Sequence, residues 1–129
     1  MTSKKLDELL SAWEENYKKG LLTFWLLLIL QSRETYAFEM AQLVGEASQG
    51  TVTADEKSIY RALNRFEDLK LVTSTWRDSE VGPPRRYYSL TEVGLELLQA
   101  FVQRNILLFQ SKPVAQRIQA ALDGTPPAQ

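Results

Sequence analysis

The apolar positions of this chain fall into helical stripes, broken once by a stretch of two-residue alternation. Leu6, Leu9, Leu10, Trp13 and Tyr17 recur at helical spacing with Lys4, Asp7, Glu8, Glu14 and Glu15 between them. That pattern predicts an amphipathic helix ending near Lys19 and Gly20. The apolar run 21–30 comes next; it is well short of the roughly 20 residues needed to span a bilayer and predicts a buried core helix. Acidic Glu14 and Glu15 before it, and no small-residue cleavage site after it, argue against a secretory signal. A third helix is expected after Thr35 as N-cap, with Tyr36, Met40, Leu43 and Val44 on one side, ending at Gly45 and the polar loop Ser48-Gln49-Gly50. Thr53-Ala54-Asp55-Glu56 fits a capping box and starts a helix from Ala54 to about Lys70. Its inner stripe is Ile59, Leu63 and Phe66, with Ala62 and Leu69 less regular, which leaves Lys57, Arg61, Asn64 and Arg65 on another face.

The alternation lies beyond this helix. Val72-Thr73-Ser74-Thr75-Trp76 is rich in β-branched and aromatic residues, and Arg86-Tyr87-Tyr88-Ser89-Leu90 alternates polar with apolar, so the two predict a hairpin. Gly82-Pro83-Pro84 between them makes a stiff tip, because proline fixes φ and has no amide to donate. Arg85 and Arg86 sit where the chain turns back. A long helix is then expected from Thr91 to about Gln110, with Val93, Leu97, Phe101 and Leu108 on one line and Leu95, Leu98, Val102, Ile106 and Phe109 on another. One line can cover the chain's own core; Leu95, Leu98, Val102, Ile106 and Phe109 are assigned to a second copy of the chain, helped by Leu9, Trp13 and Tyr17. Pro113 interrupts, a short helix runs through Ile118 and Leu122, and 123–129 has the composition of a frayed tail.

This order is mainly α with a small β-hairpin wing: a winged helix-turn-helix with N- and C-terminal dimerisation helices. The expected divisions are 1–19 as a dimer-supporting helix, 20–90 as the winged helix, 91–122 as the dimerisation helix with its short successor, and 123–129 as a flexible tail.

Composition removes whole classes of function. The 129 residues contain no cysteine and no histidine, so disulfides, thiol chemistry, the usual zinc sites and histidine-based acid–base relays are excluded. The carboxylate pairs Glu14–Glu15, Asp55–Glu56 and Glu67–Asp68 are adjacent on predicted helices and suit surfaces or helix N-termini. No catalytic site, metal or cofactor is expected. The formal net charge is −1, yet 57–86 holds Lys57, Arg61, Arg65, Lys70, Arg77, Arg85 and Arg86 against Glu67, Asp68, Asp78 and Glu80. A cationic footprint therefore sits on an otherwise acidic molecule.

Over roughly residues 20 to 110 the chain resembles the PadR-type transcriptional regulators. Tyr36-Ala37-Phe38-Glu39-Met40 is similar to the family's Tyr-Gly-Tyr-Glu-Ile scaffold-helix start. Lys57-Ser58-Ile59-Tyr60-Arg61-Ala62-Leu63, continuing through Arg65-Phe66-Glu67, resembles its Gly-Thr-Leu-Tyr-Pro-Ala-Leu recognition-helix motif. The closest match is the wing, from Gly82 through Tyr87-Tyr88-Ser89-Leu90-Thr91 to Gly94. The resemblance implies a winged-helix DNA-binding domain, dimerised through the C-terminal helix with help from the N-terminal one, acting on promoters and usually repressing. Ala37 departs from a family glycine, and Lys57 and Arg61 replace a glycine and a proline, which adds two cations.

On that reading Lys57, Ser58, Arg61 and Asn64 are candidates for base edges or flanking phosphates. Tyr60 either contacts a phosphate or packs under the wing, Arg65 touches backbone, and Arg85 and Arg86 reach the adjacent minor groove or its phosphates. The expected partners are double-stranded DNA and a second copy, and no membrane; Trp13, Tyr17, Trp25 and Phe101 are expected to pack in the core, with a small aromatic effector held between dimer helices as the alternative; the expected location is cytoplasmic and nucleoid-associated. The competing reading is a winged-helix module that grips another protein.

Overall fold

The computed structural model describes residues 3–126; positions 127–129 of the expected tail lie outside the described residues. Helix α1 (Lys4–Ser32) begins where the Ser3 hydroxyl accepts the amide of Leu6 at 3.1 Å. It runs through Gly20 without a break, so the expected stop at Lys19–Gly20 is corrected. A glycine in a helix interior costs only about 1 kcal/mol relative to alanine, and the leucine-rich residues beyond it continue the helix. Only the end of α1 is buried, at Leu26, Leu27, Ile29 and Leu30.

Helix α2 (Ala37–Ala47) and α3 (Glu56–Asp68) pack on one another across the turn 48–55. Both expected N-caps are corrected. Tyr36, with no side-chain cap, precedes α2. Thr35 is instead fully buried in extended backbone, exchanging amide–carbonyl bonds with Tyr88 at 3.3 and 2.8 Å while its hydroxyl donates to Glu39. It serves as a one-residue third strand of the hairpin. On α3 the cap is Asp55, whose carboxylate accepts the Ser58 amide at 2.6 Å; Thr53 and Glu56 do not form the box. Asp and Thr are both good caps, and the chain uses the one two residues later.

Strands β1 (Val72–Arg77) and β2 (Arg85–Leu90) pair antiparallel in the register Val72↔Leu90, Ser74↔Tyr88, Trp76↔Arg86. At the connecting tip Gly82 has φ +93°, a conformation open to glycine. The core below is Leu26, Leu27 and Leu30 of α1, Met40 and Val44 of α2, Ile59, Ala62, Leu63 and Phe66 of α3, with Val72 and Tyr88 from the hairpin. Leu69, expected on the inner stripe, is exposed at the end of α3.

Helix α4 (Glu92–Phe101) starts at Thr91, whose hydroxyl accepts the Gly94 amide at 3.0 Å and bonds the carbonyls of Lys70 and Leu71. The chain forms two compact units, one through Leu95 and one from Glu96 onward. In the second, the expected uninterrupted α-helix to Gln110 is corrected: the residues Val102–Ile106 form a π-helical turn before α5 (Leu107–Gln110). The wider turn rotates the residues after it, and Leu107, Leu108 and Phe109 are all about half exposed. Leu98, assigned from the sequence to a partner-facing line, is buried within the single chain, whereas Val93 and Leu97 of the opposite line are exposed. Helix α6 (Lys112–Asp123) carries Pro113 in its first turn and ends at Gly124 in the left-handed conformation.

Candidate nucleic-acid interface

Helix α3 presents two different edges. Lys57, Arg61 and Arg65 lie one turn apart, all exposed, and among the described residues none is in an ion pair. The same helix turns Tyr60, Asn64 and Glu67, also at three- and four-residue spacing, toward the hairpin. Ser58 sits half-buried in the first turn, its amide committed to Asp55. That amide is the chief cause holding the Asp55 carboxyl below its ordinary pKa, with Arg61 and Lys57 adding to it.

The hairpin separates the two arginines that the sequence presents as adjacent. Successive residues of a strand point to opposite faces, so Arg86 shares the α3-facing side with Tyr88 and Trp76, while Arg85 shares the other with Tyr87 and Arg77. Arg85 lies over the Tyr36 ring at 4.6 Å, Tyr36 packs on Tyr87 at 5.2 Å, and Arg77 lies over Tyr87 at 4.4 Å. Arg77 also pairs with Glu34, whose carboxyl is held low by that contact and by Ser89.

Arg86 is not displayed at a tip. Its side chain is about one-quarter exposed and ion-paired to Glu67. Its Nε donates to the Ser74 hydroxyl at 3.0 Å, and its Nη1 donates to Asn64 Oδ1 at 3.3 Å and to the Tyr60 hydroxyl at 3.4 Å. Tyr88 donates to the same Asn64 oxygen at 3.2 Å, and burial pushes the Tyr88 phenol up to about 12. The structure thus joins Tyr60, Asn64 and Arg86 into one polar network and leaves Lys57, Arg61 and Arg65 as an open cationic row. Sequence reasoning missed Glu67 and Ser74 as members; strand alternation, which puts Arg86 and Ser74 on one face, is the signal that finds them.

Beside the network a cleft of about 330 Å³ opens between the tip and the starts of α2 and α3, lined by Phe38, Tyr60, Trp76, Val81 and Pro83 among others. Trp76 is 66% exposed. A separate hollow of about 480 Å³ collects Leu10, Trp13, Tyr17, Trp25 and Val52, without Phe101. Trp13 and Tyr17 are exposed along α1 together with Leu6 and Leu9, so the core packing that aromatic side chains ordinarily favour does not hold for them.

A winged helix with these elements matches known proteins. A PadR-like transcriptional regulator of Bacillus cereus is 32% identical, over 81% of this chain and 93% of its own, with a TM-score of 0.61. A PadR family regulator of Eggerthella lenta superposes with a TM-score of 0.69 at 20% identity, covering 84% and 92%. Bacillus subtilis PadR, solved in complex with operator DNA, shares the fold at 20% identity and a TM-score of 0.61, over 66% of this chain and 48% of that one. The family model for PadR-like transcriptional regulators spans residues 26–100, from the buried end of α1 through the recognition-type helix and hairpin into α4. With more than half of its length inside that match, the chain belongs to the PadR-like family of transcriptional regulators.

Proposed function

We propose that this chain is a sequence-specific, double-stranded DNA-binding regulator, acting as a repressor from a homodimer on a pseudo-palindromic promoter site. The observation that carries the reading is the row Lys57, Arg61, Arg65, exposed and without ion-pair partners among the described residues, on the second helix of the helix-turn-helix. Cations left unpaired on a surface are the ones free to release counterions from phosphates. The first turns of α3 enter the major groove, where Lys57 and Arg61 meet guanine edges or flanking phosphates and Arg65 meets backbone. Arg85, stacked on Tyr36 near the tip, approaches the next phosphates. The operator-bound Bacillus subtilis relative supports the same assignment by its fold.

The exposed stripe Leu6, Leu9, Trp13 and Tyr17, with Val93 and Leu97 on α4, supports the homodimer, because each unit leaves an apolar line uncovered. A cytoplasmic, nucleoid-associated location goes with the DNA-binding reading; no described helix is long and apolar enough to cross a membrane. The test is a binding series on selected and scrambled duplexes between about 50 and 200 mM salt. Groove binding through six or more phosphates lowers affinity steeply over that range. Affinity independent of salt would sink this reading and favour a module that grips another protein, and equal, salt-dependent affinity for both duplexes would remove its sequence specificity.

A further inference from the structure

We propose that Glu67 is a specificity-determining positioning residue: it holds Arg86 on α3 and so fixes the hairpin in one register relative to the recognition helix. The inference rests on the DNA-binding reading above. Glu67 touches no nucleic acid in it, and its role runs through the hairpin.

The two carboxylate oxygens of Glu67 are divided between the strands. Oε1 is ion-paired to Arg86 on β2, and Oε2 accepts the hydroxyl of Ser74 on β1. Arg86 in turn bonds Ser74, Asn64 and Tyr60. Every direction in which the hairpin could slide along α3 therefore breaks a bond to Glu67 or to its partner. The guanidinium fork makes this a directional clamp, since its donors lie in one plane and cannot track a displaced acceptor as an ammonium could.

The network is not needed to hold the hairpin down. Val72 and Tyr88 are buried in the core beneath it, and for a pair three-quarters withdrawn from water, 24% and 29% exposed, the Coulombic gain is largely offset by the desolvation of both charges. What it adds is angle. Recognition by two elements requires that both meet their grooves together, and a small misplacement is felt on the correct sequence first.

Glu67 is a negative charge beside a cationic row, so electrostatics alone predicts that Glu67→Gln tightens binding to every duplex. Positioning predicts the opposite on the cognate site. The experiment compares full-length wild type and Glu67→Gln on a duplex selected from a random-sequence library with the wild type, and on a scrambled duplex of the same composition, across salt. The expected result is a loss on the order of tenfold in the cognate-to-scrambled ratio, with scrambled affinity equal or higher and the salt slope unchanged. Ser74→Ala, which removes the Ser74–Glu67 bond and the Arg86 Nε–Ser74 bond but keeps the Glu67–Arg86 pair, should shift the ratio the same way by less. It also serves if Glu67→Gln folds poorly, as judged by melting.

Parallel tightening on both duplexes would reduce Glu67 to a repulsive charge, and a ratio equal to wild type would make the network idle; either overturns the proposal. A lowered melting temperature with an unchanged ratio would show a structural role only and overturn it too. Wild type that binds neither duplex would instead remove the DNA-binding reading, and this inference with it.

Discussion

Replacing Gly94 with alanine should lower stability by about 2 kcal/mol, although alanine is the better helix former. A Cβ at this position would lie 2.2 Å from the Leu71 carbonyl oxygen and 2.7 Å from Leu90 Cδ1, where ordinary contact begins at 3.4 Å. The leucine methyl can rotate away. The carbonyl cannot, because it accepts the Thr91 amide at 3.0 Å and the Thr91 hydroxyl at 2.9 Å, the bonds that start α4 against β1. Overpacking of this kind costs roughly 1–3 kcal/mol, a strained hydrogen bond about 1 more, and helix propensity returns at most about 1. For a chain of this size the net corresponds to a melting temperature about 8 °C lower. Gly20→Ala is the matched control. Gly20 also sits inside a helix, but a Cβ added there would meet nothing within 4 Å, so the same substitution should stabilise by up to about 1 kcal/mol. Melting and urea unfolding of both variants at one protomer concentration measure the difference. Equal signs for the two substitutions would refute the close-approach argument.

Tyr88 is neutral in the fold up to about pH 12 but ionises near 10 when unfolded. The folded state thus binds the extra proton between those values, and stability falls as pH rises through that window. Tyr88→Phe should flatten this alkaline limb and remove the late-titrating phenol from an ultraviolet titration. The Asp55 carboxyl is held below its ordinary pKa by the Ser58 amide, so its contribution is present above the unfolded value near 3.8 and lost as pH falls through the lower folded one. Asp55→Asn keeps a capping side chain and should leave the neutral-pH melt nearly unchanged while reducing acid sensitivity in urea midpoints between about pH 2 and 5. Lys57→Ala should weaken selected and scrambled duplexes alike and lower the salt slope by about 1 if it meets a phosphate; a loss confined to the selected duplex would make it a base reader. Trp13→Ala with Leu9→Ala should shift self-association toward protomer in sedimentation, and unchanged mass would remove the α1 stripe from the interface.

Much of the fold was legible in residue spacing. Periodicity located α2, α3, the hairpin and the inner stripe of α3, because burial on a packed face leaves a direct trace in where apolar residues recur. What escaped was decided by competition among near-equal choices. Gly20 stands after two lysines and looked like a stop, but a helix with apolar residues on both sides absorbs a glycine. Thr53, Asp55 and Thr35 could each cap a helix; tertiary pairing claimed Thr35 for the hairpin and left Asp55 to cap α3. Arg85 and Arg86 read as equals along the chain, while the two-residue period of a strand sent one to Tyr36 and the other to Glu67. The π turn at Val102–Ile106, and with it the exposure of the C-terminal leucines, left no mark in the apolar spacing.

The unbroken α1 has a geometric corollary. At about 1.5 Å per residue its 29 residues reach roughly 43 Å, with Trp13 and Tyr17 exposed along its first half and Leu26, Leu27, Ile29 and Leu30 anchored in the core. Just past its end Arg33 grips Glu39 of α2, and Glu34 grips Arg77 and Ser89 of the hairpin. No break in the helix separates the exposed Trp13 and Tyr17 from the end whose next residues are tied to the scaffold helix and the wing.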